Sequence, residues 1–202
     1  MSHRTKLLVI GAKGQLGREL CRRGQLYGSE VIGLDLPEFD IIDPSGVDEA
    51  LSKNEISLVI NAAAYTAVDQ AESEQELAFS VNCTGPAYLA KVCSKLAIPL
   101  LHVSTDYVFD GSKRTPYLET DPVPPVSIYG EKKATGEKAV RDSLEAHIIL
   151  RTSWLYSVYG NNFVKTILRL ANEREELRVI ADQYGCPTRA GDLAVAILHV
   201  AN

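Results

Sequence analysis

A tyrosine and a lysine four positions apart, Tyr129 and Lys133, could act together in proton transfer. Residues at this spacing share one face of a helix, so the phenol and the ammonium would point into the same space. A phenol has an ordinary pKa near ~10, and an adjacent positive charge lowers that pKa towards a catalytically useful range. Because the same spacing also occurs on solvated helix faces, it predicts catalysis only together with other motifs.

The glycine-rich run from Gly11 through Gly14 to Gly17 follows a short apolar stretch and opens a helical pattern. Glycines here let the chain turn tightly and let backbone amides approach a pyrophosphate, whose charge the start of a helix favours. Asp35 ends the second apolar stretch, where a carboxylate commonly bonds an adenosine ribose; a cap on the strand end is the alternative. Lys13 could meet a ribose 2′-phosphate that Asp35 would repel, so the choice between NAD and NADP stays open.

A third motif, Ser104-Thr-Asp-Tyr-Val-Phe109, ends the fourth apolar stretch. Open α/β sheets bind their ligands at the carboxyl ends of the strands. A hydroxyl group here could bond both a substrate carbonyl and Tyr129, whereas a cap on an exposed strand end is the structural alternative. The three motifs together, in this order, predict a dinucleotide-dependent enzyme.

Short apolar strands alternate with longer amphipathic helices along the chain, a pattern typical of βαβ units. Five nearly continuous apolar runs predict interior strands of a parallel sheet, over 6–10, 30–35, 57–61, 99–104 and 147–152. The sequence also predicts a short strand over 39–43, a helix start at Asp43 and Pro44, and a capping box of Ser73 and Glu76. The predicted fold is α/β, with a doubly wound parallel sheet that is Rossmann-like.

Two other segments carry clear expectations. The stretch 110–127 holds four prolines and predicts a long irregular loop, of the kind that is usually functional or mobile. Residues 191–201 predict a capped helix that is apolar on almost every face and therefore buried, ending without a C-cap at Asn202.

The composition is that of an ordinary globular protein, with 26 acidic and 21 basic side chains, a net charge of −5 and 46% apolar residues among 202. The acidic balance argues against nucleic acid or an anionic membrane as a partner, and no apolar run reaches the ~18 residues of a membrane span.

A short, polar amino terminus excludes a signal peptide, which predicts a cytoplasmic location. The four cysteines and four histidines, His3 among them, lack metal-ligand spacing, so no zinc site or disulfide is predicted.

In this order the motifs resemble the extended short-chain dehydrogenase/reductases, and within them the family of dTDP-4-dehydrorhamnose reductases. The resemblance covers nearly the whole chain. Its most specific marks are Asn61-Ala-Ala-Ala-Tyr-Thr-Ala-Val-Asp69 with Ala71-Glu72, Ser104 to Asp110, Arg151-Thr-Ser-Trp-Leu-Tyr156, Gly160-Asn-Asn-Phe163 and Asp182-Gln-Tyr-Gly-Cys-Pro-Thr188.

The resemblance implies NAD(P)H-dependent reduction of the 4-keto group of dTDP-4-dehydro-L-rhamnose to dTDP-L-rhamnose, a step of deoxysugar and polysaccharide biosynthesis. Tyr129 would donate the proton, Lys133 would hold the nicotinamide ribose and lower the Tyr129 pKa, and Thr105 would bond the carbonyl oxygen. Substrate contacts carry over to Thr105, Asp106 and Trp154, although a lone tryptophan is more often a core residue. Contacts to NADPH or NADH carry over to Gly11, Gly14, Gln15, Leu16, Gly17, Asp35, Asp40, Ile41, Ala64, Tyr65, Thr66, Tyr129 and Lys133.

Two features depart from the family pattern. Members of the family continue with a C-terminal stretch that completes the sugar-nucleotide site. The expected organisation is therefore a dinucleotide-binding domain over 1–152, and over 153–202 the elements that complete it and begin a smaller, largely missing substrate domain. Some members bind magnesium at a dimer interface through two glutamates; Glu19 matches one, the segment 188–192 lacks the other, and no metal is predicted. The implied partner is a small-molecule sugar nucleotide, and a homodimer stays open.

Other functions use some of the same motifs. A non-catalytic NADP-binding regulatory subunit, similar to the β subunit of methionine adenosyltransferase, shares the Ser-x-Asp-Tyr-Val-Phe-Asp and Tyr-x-x-x-Lys runs. Trp154 and the Asn-Ala-Ala-Ala-Tyr-Thr signature favour the reductase. An epimerase or dehydratase is disfavoured, because Asp106 is not part of the Asp-Glu pair that dehydratases use.

Overall fold

The computed structural model describes residues 4–201, so His3 and the expected uncapped end at Asn202 lie outside the described residues. The strands are β1 (Lys6–Ile10), β2 (Glu30–Leu34), β3 (Leu58–Asn61), β4 (Leu100–Thr105), β5 (His147–Thr152), β6 (Leu155–Tyr156) and β7 (Thr188–Arg189). The helices are α1 (Gln15–Gly24), α2 (Pro44–Ser52), α3 (Gln75–Phe79), α4 (Gly85–Leu96), α5 (Ile128–Ser143), α6 (Phe163–Glu173) and α7 (Ala190–Ala201), with a π-helical turn over Ser80–Thr84 between α3 and α4.

The five longer strands form one parallel sheet in the order β2-β1-β3-β4-β5. Apolar side chains of α2, α4 and α5 pack on one face of the sheet, and those of α1 and α7 pack on the other. The predicted doubly wound α/β fold is confirmed, and the five predicted strands agree with the observed ones to within one residue at each end. Strand β2 lies on one side of β1 and β3 lies on the other, so the strand order reverses at β1. The carboxyl ends of β1 and β3 therefore border the crevice where such sheets bind ligands.

Two local predictions are wrong, because side chains there bond the nearby backbone. Residues 39–43 form a turn rather than a strand: the Asp40 carboxylate accepts from the Ile42 amide at 3.1 Å, and the Asp40 carbonyl accepts from the Asp43 amide at 3.1 Å. The capping box does not form either, since the Ser73 hydroxyl donates to the Gln70 carbonyl at 3.0 Å and α3 begins only at Gln75.

The other predicted elements form. Asp43 caps α2 by accepting from the Ser45 amide at 3.0 Å. The segment 110–127 is irregular as predicted, but it is held by Asp110, whose carboxylate accepts from the Ser112 amide and the Tyr117 hydroxyl, each at 3.0 Å. This loop is therefore organised by its own side chains.

Helix α7 lies against α1 and buries one side only. Ala194, Ile197 and Leu198 are buried there, as expected of an apolar helix, whereas Val200 on the outer side is exposed. Between residues 4 and 201, no helix is long and apolar enough to cross a membrane.

Candidate active site

The glycine-rich turn sits at the centre of the sheet, between β1 and α1. Gly11 has a φ of +82°, and a Cβ atom there would lie 2.6 Å from the Ala63 nitrogen, so only glycine fits. Gly14 is the N-cap of α1 and offers no side chain to the first amides of that helix. Free amides at a helix start fit a pyrophosphate, so this turn can hold a dinucleotide, with Gln15, Leu16 and Gly17 in the first turn of α1.

Asp35 bonds the backbone of this turn directly. Its carboxylate accepts from the Lys13 amide at 2.6 Å and from the Leu36 amide at 2.8 Å. The Lys13 ammonium binds the Leu36 carbonyl and the Glu38 carboxylate, both at 2.6 Å. Sequence reasoning missed Glu38, which places a second negative charge beside Lys13 and close to Asp35 in sequence. Glu38 lies 25 residues from Lys13 in sequence, so only the fold reveals the pair.

The residues expected at the adenine differ in exposure. Ile41 is buried in the core, where it also faces Gly85 of α4, which leaves little of its surface for a ligand. The Asp40 carboxylate is used by its own turn.

A buried asparagine holds the loop that carries Ala64, Tyr65 and Thr66. Asn82, in the π-helical turn, accepts from the Tyr65 amide and donates to the Tyr65 carbonyl, each at 3.0 Å. π-Helical turns are frequent at functional sites, and this one supplies the amide side chain that holds the backbone of Tyr65. Sequence reasoning missed Asn82, because a helix pattern gives no sign of a π-helical turn.

Asn61 holds the beginning of the same loop. Its side-chain oxygen accepts from the Ala63 amide at 3.1 Å, and its Nδ2 lies 3.1 Å from Nδ1 of His102 on β4. His102 is fully buried, and burial together with the charge of Lys133 holds its pKa well below the usual value. His102, which shows no metal-ligand spacing in the sequence, thus forms a buried polar pair with Asn61 that joins β3 and β4.

Tyr129 lies in the first turn of α5, close to the end of β4. Ser127 caps this helix by accepting from the Gly130 amide at 3.1 Å, and Glu72 accepts from the Ile128 amide at 3.0 Å. A Cβ atom on Gly130 would lie 2.2 Å from the Tyr107 carbonyl oxygen, so glycine lets the helix approach the turn after β4. Thr105 lies beside the phenol, where its side chain lowers the pKa of Tyr129.

Lys133 follows Tyr129 by one helical turn and is only 2% exposed. Its ammonium donates to the Val103 carbonyl at 2.8 Å. Burial lowers the pKa of Lys133 to about 8, against the charge of Glu137, which raises it. Burial also raises the pKa of Tyr129 to about 12, although the Thr105 side chain opposes this. The expected lowering of the Tyr129 pKa by Lys133 is therefore not seen in the protein without its cofactor, where burial dominates and Lys133 is not among the groups that shift this pKa.

The two remaining substrate candidates, Asp106 and Trp154, border the same edge of the sheet. Asp106 accepts from the Thr105 hydroxyl at 3.1 Å, and burial raises its pKa against that hydrogen bond. Trp154 is 44% exposed and has a φ of +45°, an uncommon conformation for a bulky residue. The indole is therefore not a core residue; it lies against the backbone of Gly185.

The segment after β6 contacts the glycine-rich turn, which the sequence did not predict. Asn162 donates to the Gln15 side-chain oxygen at 3.0 Å, and Arg18 lies over the ring of Tyr159 at 5.7 Å. Asn162 also caps α6, and it belongs to the Gly-Asn-Asn-Phe mark.

Glu19, the one residue that matches a magnesium ligand, is held by arginines. Arg22 and Arg23 donate to its carboxylate at 2.8 and 2.9 Å, and lower its pKa although burial raises it. A Cβ atom on Gly191 would lie 2.9 Å from the Arg23 guanidinium, which fills the space beside Glu19. These residues do not fit a divalent cation, and no group of three or more metal-ligating side chains occurs within the described chain.

The chain is similar to proteins of known families. A family model described as the RmlD substrate binding domain matches residues 5–202. A dTDP-4-dehydrorhamnose reductase of Aggregatibacter actinomycetemcomitans is 48% identical over 197 residues, which cover 97% of this chain and 67% of the relative. A spore coat polysaccharide biosynthesis protein of Bacillus subtilis is 44% identical over 196 residues, 97% of this chain and 69% of the relative.

A solved structure shows the same likeness. The crystal structure of dTDP-4-dehydrorhamnose reductase from Bacillus anthracis in complex with NADP has a TM-score of 0.95 and 39% identity, and it covers 100% of this chain and 72% of that one. The chain thus spans about two thirds of the length of its curated relatives. The resemblance read from the motifs is confirmed, and the chain belongs to the family of the RmlD substrate binding domain.

Proposed function

We propose that the protein uses NADPH or NADH to reduce the 4-keto group of dTDP-4-dehydro-L-rhamnose to dTDP-L-rhamnose. The convergence of Thr105, Tyr129 and Lys133 at the carboxyl end of β4 carries this proposal. Relatives named dTDP-4-dehydrorhamnose reductase support it over a regulatory subunit.

Tyr129, Lys133 and Thr105 would each have a separate role in the reduction. Bound NAD(P)H would supply a hydride to the keto carbon. As that C–H bond forms, the π electrons of the carbonyl move to its oxygen, and Tyr129 donates its proton to that oxygen, leaving a phenolate. With a pKa of about 12, the phenol carries this proton throughout the neutral range. Lys133 stabilises the phenolate by its charge, and Thr105 bonds the same oxygen.

The dinucleotide would lie along the carboxyl ends of β1, β2 and β3. Gly11, Gly14, Gln15, Leu16 and Gly17 would hold the pyrophosphate, Asp35 the ribose, and Asp40 with Ile41 the adenine. Ala64, Tyr65 and Thr66 would border the nicotinamide half, with Tyr129 and Lys133 at its ribose. The free amides of α1 and the loop held by Asn82 support this placement.

The sugar nucleotide would meet Thr105, Asp106 and Trp154. The exposed indole supports a substrate contact rather than a core role. We assign dinucleotide binding to residues 1–152 and the beginning of substrate binding to 153–202. A cytoplasmic location and a homodimer stay predictions, the latter to be tested by light scattering of the purified protein.

The decisive experiment follows the loss of NAD(P)H absorbance when a full-length version of the protein, of the length of its curated relatives, is given the 4-keto sugar nucleotide. Tyr129→Phe should lower the rate about 10²- to 10⁴-fold, the usual contribution of a general acid. Tyr88→Phe, which removes a hydroxyl from α4, is the matched control and should keep the rate. A Tyr129→Phe protein as fast as this control would refute the mechanism. As pH rises through about 8, kcat/KM should fall, because Lys133 then loses its charge.

A binding experiment tests the cofactor separately. Titration calorimetry of the 202-residue chain with NADH and with NADPH should show binding of at least one of them, and titration with dTDP weak or no binding. A chain that binds neither dinucleotide contradicts the placement at the glycine-rich turn.

A further inference from the structure

A buried ion pair ties helix α5 to strand β5. Glu137 lies one helical turn beyond Lys133, and its side chain is fully buried. Arg151 on β5 donates to both carboxylate oxygens, from Nε at 2.8 Å and from Nη2 at 2.7 Å. Two such bonds hold a planar guanidinium in one orientation. Arg151 therefore fixes the position of the helix that carries Tyr129.

The same guanidinium contacts the turn that follows β4. Its Cζ atom lies 4.9 Å from the centroid of the Phe109 ring, an arrangement that is attractive for a cation and an aromatic face. The Phe109 amide closes this turn by donating to the Asp106 carbonyl at 3.0 Å. The ring is also stacked on Tyr117, with 4.0 Å between centroids. Arg151 thus contacts a ring that is also held by Tyr117.

The position of Arg151 in the sheet explains why it reaches both halves of the site. It is paired in register with Ser104, and Thr105 is the next residue along β4. Tyr129 and Thr105 belong to elements separated in sequence by the irregular loop 110–127, so their distance depends on contacts across the fold. A link between α5 and the turn at 106–108 is one such contact.

The electrostatics keep this link intact. Burial alone would raise the pKa of the Glu137 carboxyl, but Arg151, with smaller effects from Ser104 and Arg141, lowers it below the usual value. Both partners are therefore charged at neutral pH. Separating a buried charge from its partner is costly, so the pair resists opening in the folded protein.

We infer that Arg151 is a positioning residue for the proposed reduction, acting as a clamp between α5 and the turn after β4 that sets the distance from Tyr129 to Thr105. The kinetic part of this inference rests on the proposed function. The clamp itself is a property of the fold and can be measured without substrate.

The first test is hydrogen–deuterium exchange, measured by mass spectrometry on the chain without ligands. Arg151→Lys keeps one positive charge but loses the bidentate bond and the planar contact with Phe109. Exchange should rise about tenfold in peptides covering both 105–109 and 128–137. Arg141→Lys is the matched control, since Arg141 bonds the same carboxylate at 3.2 Å but belongs to α5 itself. In that variant the rise should stay within α5.

Phe109→Leu separates the two contacts and leaves the buried ion pair untouched. Exchange should rise over 105–109 and stay unchanged over 128–137. Identical exchange patterns in Arg151→Lys and Arg141→Lys would overturn the clamp. Unchanged exchange over 105–109 in both Arg151→Lys and Phe109→Leu would overturn it as well.

The second test uses the reductase assay. Arg151→Lys should lower kcat about tenfold, because a small displacement of a catalytic group reduces the rate steeply, and should leave KM for the dinucleotide within about twofold. Arg141→Lys should keep kcat. Equal kcat in the unsubstituted protein and Arg151→Lys refutes the positioning role. If the unsubstituted protein reduces no keto sugar nucleotide while exchange behaves as expected, the clamp is supported and the proposed function fails.

Discussion

Helices α5 and α6 begin alike and present opposite surfaces. Ser127 caps α5 and Asn162 caps α6, each by accepting a backbone amide at 3.1 Å. Beyond the cap, α5 buries the charged side chains of Lys133 and Glu137. Along α6, by contrast, none of the described residues is buried, and Leu168 is 62% exposed.

The difference shows that packing partners, rather than helix-forming tendency, decide what each helix buries. Helix α5 lies on the sheet and against the π-helical turn, where buried hydrogen bonds and ion pairs satisfy its charges. Buried charges are unfavourable without such partners. The buried charges of α5, Lys133 and Glu137, lie in and beside the candidate site, so this region needs tight packing that supplies their partners. Helix α6 buries no charged side chain and has no such requirement.

The largest expected effect is a loss of stability on truncating a buried leucine, compared with an exposed one. Leu101→Ala, in the fully buried centre of β4, should lower the free energy of unfolding by about 2–5 kcal/mol. Leu168→Ala on α6 should change it by less than about 0.5 kcal/mol. Denaturant unfolding of the 202-residue chain measures both. Comparable losses in the two variants would mean that α6 is packed as tightly as the sheet.

The next effect concerns the close approach of α5. Gly130→Ala places a methyl group 2.2 Å from the Tyr107 carbonyl, so the helix must shift. We expect a loss of about 1–3 kcal/mol in stability and a kcat about tenfold or more below that of the unsubstituted protein. Thermal unfolding and the reductase assay test this. Lys138→Ala, an exposed change on the same helix, should be neutral; a Gly130→Ala protein that behaves like it contradicts the close packing.

A smaller effect should appear in the pH dependence of stability. The unfolded chain protonates His102 below about pH 6.5, whereas burial and the charge of Lys133 hold the folded pKa well below that value. The unfolded state then binds more protons, so the free energy of unfolding falls as pH falls below about 6.5. Glu137 adds a loss of the same sign only below its ordinary pKa of 4.5.

Between about pH 6.5 and pH 5 we therefore expect denaturant unfolding to show a decrease of about 1–2 kcal/mol from His102, which Asp106 opposes because burial raises its pKa in the folded protein. His102→Gln should remove most of this decrease. His199→Gln, at an exposed histidine of α7, should leave it unchanged. If the free energy of unfolding had the same pH dependence in the unsubstituted protein, His102→Gln and His199→Gln, the buried histidine would not be its source.

The smallest effect involves an exposed pair beside the glycine-rich turn. Glu38→Gln frees the Lys13 ammonium from a carboxylate at 2.6 Å. The free charge should favour NADPH over NADH by about two- to fivefold, the range of a surface ion pair. Dissociation constants for both dinucleotides measure this shift, with Glu173→Gln on α6 as the control. An unchanged ratio would remove Glu38 from the determinants of cofactor choice.

The parts of the fold that follow from continuous apolar runs were predictable. Interior parallel strands need apolar residues on both faces, so 6–10 matches β1; 147–152 matches β5, which lies at an edge of the sheet and not in its interior as predicted. The segment 39–43 also carries buried Phe39 and Ile41, but Asp40 bonds the backbone beside it and turns the chain. Apolar pattern alone cannot distinguish these two outcomes.

The candidate site was predictable where its residues lie within a motif. Tyr129, Lys133 and Thr105 come together because the spacing and the strand end determine where they project. Asn82, His102 and Glu137 were not predictable, since their partners lie on other elements and only the packed fold joins them. Arg151 stood within a recognised motif, yet no spacing indicated its link to α5.

The contact between Gly11 and the Ala62–Ala63 peptide has a consequence for how the chain assembles. The glycine-rich turn reaches its final shape only when β1 and β3 lie side by side, because the turn rests on the residues that follow β3. A dinucleotide added during refolding should therefore bind only after these two central strands have paired. Changes in its fluorescence would time the formation of the middle of the sheet, and the ligand would stabilise that state as soon as it appears.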